Sequence, residues 1–200
     1  MNESLRAELS DPLGSVDPMA AELVRRPDTQ IQDLPAPYLR KYRLYRIESA
    51  GPPHRFVFTV AHAHGRAWLV SANVQTFTHM IEDDGARLAD AGQALQYVTT
   101  FLQVTRLGAR VFFLLKRFAD IPFLPELEEP YATRVSDLRE RYEPLIRPPW
   151  VRAEGEAFQA TAYAVMGRDL VALFIDVARD CRIQVRLDVL EQELPLVFVV

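Results

Sequence analysis

Arg182-Ile183-Gln184-Val185-Arg186-Leu187-Asp188-Val189 is the stretch that decides the fold class. Ile183, Val185, Leu187 and Val189 alternate with charged or amide residues, the period of two expected of a strand with one wet face. It is the last of three such runs between Phe158 and Val200, and Gly167-Arg168-Asp169 and Arg179-Asp180 separate them as turn signals. Short connections join antiparallel neighbours, so residues 156–200 are predicted to form a C-terminal antiparallel β-meander.

Working back from that sheet, Pro144 and Pro148-Pro149 mark an extended linker, preceded by a charged helix over Tyr131 to Tyr142. Val111 to Leu115 is a continuous apolar run of strand length, expected to be buried on both faces. The strongest helical pattern opens at Asp90, with Gln93 three residues on as in a capping box. It continues through Ala94, Leu95, Val98, Phe101, Leu102 and Thr105 to Gly108. A shorter helix runs through Val74, Phe77, Met80 and Ile81 from a cap at Asn73 or Ser71 and ends at Asp83-Asp84-Gly85.

Three strands are expected over Tyr38 to Glu48, His54 to His62 and Arg66 to Ser71. The last two form a hairpin around His64-Gly65, and Gly51-Pro52-Pro53 precedes them. Residues 1–37 are dense in Pro, Asp and Gly and read as an N-terminal arm with two short helical turns, the second capped by Asp17-Pro18. Residues 38–200 read as a single α+β domain. The order of strands, helices, strand, helix and strands points to a largely antiparallel, curved sheet with helices packed on one face. A sheet curled around a helix, as in cone-shaped α+β folds, is the architecture this order suggests by analogy.

The 200 residues are 49% hydrophobic and 25% charged, ordinary for a globular chain. No stretch approaches the roughly 20 apolar residues of a membrane span, and Met1-Asn2-Glu3-Ser4-Leu5-Arg6 does not read as a secretory signal. A cytoplasmic protein is therefore expected. The formal charge of −4 has the wrong sign for gripping phosphate backbones, which disfavours nucleic acid as a partner. Lysine occurs only at Lys41 and Lys116, an excess of arginine that suggests a GC-rich bacterial source.

Chemistry has few footholds. Cys181 stands alone, so neither an internal disulfide nor a cysteine-based zinc site is available. His62-Ala63-His64 has metal-ligand spacing, because residues two apart on a strand share a face, and His79 with Glu82-Asp83-Asp84 could add ligands. Rim histidines beside a turn account for the pair more simply, and the acidic run reads as a solvated helix terminus rather than a calcium loop. No GxSxG, phosphate-cradling loop or cofactor motif is present, so no cofactor is expected.

Two features point to association instead. Trp150, between a proline pair and a charged run, suits an exposed interface anchor. The chain ends on Leu194-Pro195-Leu196-Val197-Phe198-Val199-Val200, apolar enough that it must be covered within the chain, by a partner or by a second copy. A non-enzymatic adaptor, accessory or regulatory subunit follows, binding protein through a sheet edge and terminal segments that include Leu196, Val197, Phe198 and Val199. The rival is a small-molecule or enzymatic pocket using His62 and His64.

Overall fold

The structure, a computed structural model, describes residues 3–51 and 54–197, without the side chains of residues 50, 51 and 54. Pro52 and Pro53, and Phe198, Val199 and Val200, lie outside them. It is α+β, with two antiparallel sheets of four and five strands, neither closed into a barrel, and a C-terminal strand meander. The chain divides into two compact units, one of residues 1–87 with 104–108 and one of 88–103 with 109–200.

In the first unit, helices α1 (Glu3–Leu13) and α2 (Pro18–Arg25) precede a sheet in the order β1 (Gln30–Leu34), β2 (Arg43–Gly51), β3 (His54–Ala63), β4 (Arg66–Leu69). Asp17 caps α2 by accepting from the Ala20 N–H at 2.9 Å, and Pro18 sits in the first turn, where its missing N–H costs nothing. The residues read as an arm are substantially buried. Leu9, Leu13, Ala21 and Val24 share one core with Tyr45, Ile47, Val60 and Ala67 of the sheet. Arg6 fixes the helix pair by donating to the carbonyl oxygens of Val24, Arg26 and Thr29 at 2.9, 2.7 and 2.6 Å, two of them at the end of α2 where carbonyls lack helical partners. Helix α3 (Val74–Asp84) is capped by Asn73 and stopped by Gly85 in the left-handed region at φ 67°.

In the second unit, α4 (Ala91–Thr105, assigned to this unit as far as Gln103) opens with Asp90 accepting from the Gln93 N–H at 2.9 Å. The Gln93 side chain accepts in return from Ala89 rather than Asp90. Tyr97, Val98, Phe101 and Leu102 are buried along it. The sheet runs β5 (Phe112–Leu115), β7 (Ala157–Met166), β8 (Asp169–Ala178), β9 (Ile183–Glu191), with β6 (Trp150–Glu154) also on β7. β5 departs from its expected double burial. Among the described residues it is an edge strand paired only to β7, so Phe113 is exposed while Leu115 is buried. Helix α5 (Tyr131–Tyr142) brings Leu138 and Tyr142 into a core with Leu115, Phe118, Val165, Leu170, Leu194 and Leu196.

Candidate functional site: the open face of the C-terminal sheet

Cross-strand register assigns the site. On one face of the second sheet, Trp150, Thr161, Phe174 and Arg186 form a row across β6, β7, β8 and β9, and Arg152, Gln159, Asp176 and Gln184 form the next. A third row, Leu115, Tyr163, Ala172 and Asp188, passes into the core that α5 closes. The α5 core therefore takes up one end of this face and leaves the first two rows as a groove of about 350 Å³.

Within the groove both aromatic rings carry a guanidinium. Arg147 lies 4.8 Å from the Trp150 ring centroid and Arg186 lies 4.6 Å from that of Phe174. Arg152 donates to the Gln159 side-chain oxygen at 2.6 Å, which links neighbours in the second row. Arg147 makes no ion pair among the described residues, and Arg186 reaches Asp188 only at 3.7 Å. Trp150 is half-buried, and its indole N–H is buried without an acceptor among the described residues. Large aromatic surfaces under planar cations offer stacking area at low conformational-entropy cost, with spare donors for carboxylates.

The edge beside this face is open as well. Among the described residues β9 pairs with β8 alone, and Arg186, Leu187, Asp188 and Val189 are exposed in succession, Leu187 at 39% and Val189 at 47%. The opposite face fades in the same direction: Val171, Leu173, Ile175 and Val177 of β8 are buried, while their partners on β9 are half-buried or exposed.

The remaining sequence candidates lie elsewhere. Leu196 is buried, bridged to Phe123, whereas Val197 is exposed and donates its N–H to Pro122; Phe198 and Val199 fall outside the described residues. His62 is half-buried on β3, where burial holds its pKa below the ordinary value against an opposing pull from Glu8 and a further lowering by His64. His64 is exposed and leaves the strand at φ 45°. With Gly65 at φ 75° it makes the two-residue turn of the hairpin, so the same-face argument for the pair does not extend to it. His79 is exposed on α3. Among the described residues no group of three or more His, Cys, Asp or Glu is placed to hold a metal.

The acidic run differs from its expectation as a solvated terminus. Asp84 is buried and accepts the N–H groups of Arg40, Lys41 and Tyr42 at 2.8, 2.8 and 3.0 Å, tying the end of α3 to the segment that enters β2. Next to it the Tyr42 hydroxyl donates to Asp83 at 2.7 Å and accepts from the Trp68 indole at 3.0 Å. An open recess of about 660 Å³ adjoins this cluster, lined by Pro12, Val16, Arg66, Trp68, Asn73 and others, with neither His62 nor His64 among its walls.

No family model matches the chain, and neither a curated protein nor a solved structure matches it. No helix among the described residues is long and apolar enough to cross a membrane.

Proposed function

We propose that the chain is a non-enzymatic interaction protein, an adaptor, accessory or regulatory subunit, whose C-terminal sheet binds another protein. One observation carries this reading: among the described residues half of one sheet face is left uncovered, and it presents Trp150 and Phe174, each under an arginine, beside a nine-residue edge strand that those residues leave open. Tryptophan and arginine dominate binding energy at protein interfaces, and an open edge adds backbone hydrogen bonds by strand addition. Of the terminal residues, exposed Val197 remains available for contact, whereas buried Leu196 supports the domain itself. The rival pocket reading has less support, because the recess in the first unit is walled by Arg66 and Trp68 rather than by the histidine pair.

Site-specific photo-crosslinking in the native cell tests it. A photoreactive residue replacing Phe174 should yield a discrete adduct with a protein, lost on adding Trp150→Ala, while the same residue at exposed Glu22 of α2 yields none. Absence of any adduct from position 174 contradicts the proposal.

A further inference from the structure

On the interaction reading of this sheet, we infer that β9 pairs with β9 of a second copy of the chain, antiparallel about a two-fold axis at Leu187. The strand is suited to strand addition, since from Ile183 to Val189 it contains no Pro or Lys, two of the residues that natural sheets use to blunt an edge, and its two charges are of opposite sign. It is also complementary to itself. An axis through Leu187 sets that residue against its own mate, Val185 against Val189 of the second copy, and Arg186 against Asp188 of the second copy on the other face. Both half-exposed apolar residues are then covered, and the loose intrachain contact of Arg186 with Asp188, 3.7 Å, becomes part of a ring of four alternating charges.

Other registers are worse. Axes through Arg186 or Asp188 place like charges opposite each other, and a slip of one residue sets apolar side chains against charged ones. An axis through Val185 pairs Asp188 with Arg182, which lies outside β9 and is held by Asp180 at 2.9 Å, and it leaves Val189 uncovered. Beyond Val189 the bulge at Leu190 ends the regular ladder. The interface is isologous and closes as a dimer, joining two five-stranded sheets edge to edge.

Charge exchange tests the register. Sedimentation of the purified full-length chain should show a species of twice the 22.8 kDa chain mass that becomes monomeric in Arg186→Asp and in Asp188→Arg, because each variant alone sets like charges across the axis. An equimolar mixture of the two variants should recover the dimer, as should the double exchange R186D/D188R; recovery also reports that both variants are folded. A wild-type chain monomeric at high micromolar concentration, or single variants that remain dimeric, or a mixture that stays monomeric beside intact circular dichroism, overturns the inference. A monomeric chain that still yields the position-174 adduct in cells removes the second copy and keeps the interaction reading, whereas a dimer without that adduct removes only the wider partner.

Discussion

Asp84 shows how a single carboxylate organises the first unit. Three backbone N–H groups converge on it in a buried site, so Asp84→Ala leaves three donors unpaired and should cost about 3 kcal/mol in urea unfolding. Asp83 beside it is different. Its carboxyl is held below the usual range by the Tyr42 hydroxyl first and by Lys41 and Arg66 besides, but it is only half-buried and holds no backbone N–H among the described residues, and Asp83→Asn should shift the midpoint far less. His62 gives a pH signature. Burial lowers its folded pKa, so the unfolded chain binds the extra proton first; its contribution to stability is complete above about pH 6.5, the unfolded value, and fades as pH falls through the folded one. His62→Gln should therefore flatten the stability profile just below pH 6.5, and an unchanged profile would contradict the burial argument. The sequence exposes residue types and local spacing, which suffice to single out His62, His64 and the acidic run. It does not expose that Asp84 meets Arg40, Lys41 and Tyr42 across more than forty positions, and for that reason the run reads as solvated.

At the scale of elements, periodicity is legible where one face is wet. The alternation along β9 and the caps at Asp17, Asn73 and Asp90 are all local signals, and each marks an element that forms. β1 escapes because Gln30-Ile31-Gln32-Asp33-Leu34 lies among prolines and alternates only weakly, its identity being set by pairing with β2. β5 misleads for the opposite reason: a run of apolar residues looks the same in a central strand and in an edge strand whose outward residue is left half-wet. Two substitutions check the cores. Phe101→Ala should cost about 3 to 5 kcal/mol, since a ring buried to 1% exposure loses its transfer energy and leaves a cavity. Leu196→Ala should cost about 2 to 5 kcal/mol for the same reason, because the terminal segment here serves the α5 core. A wild-type urea midpoint in either variant would misplace that core.

For the whole molecule, the distribution of cover is what supports the proposed interaction. In the second unit, among the described residues, the open half of one face, the fading burial of the other and the unpaired edge all converge on β9. Hydrogen bonding along such an edge is worth most when the flanking side chains also match, and the alternation of Val185, Leu187 and Val189 with Arg186 and Asp188 supplies that match in a second copy. Amide exchange resolved along residues 183–189 reads the edge pairing itself, because β8 protects only the inward-facing half of these N–H groups. Protection of the outward half should appear as wild-type concentration rises from low to high micromolar, be absent from R186D and D188R measured separately, and return when the two are mixed. Outward amides that exchange at one rate at every concentration, in wild type and mixture alike, would contradict the account.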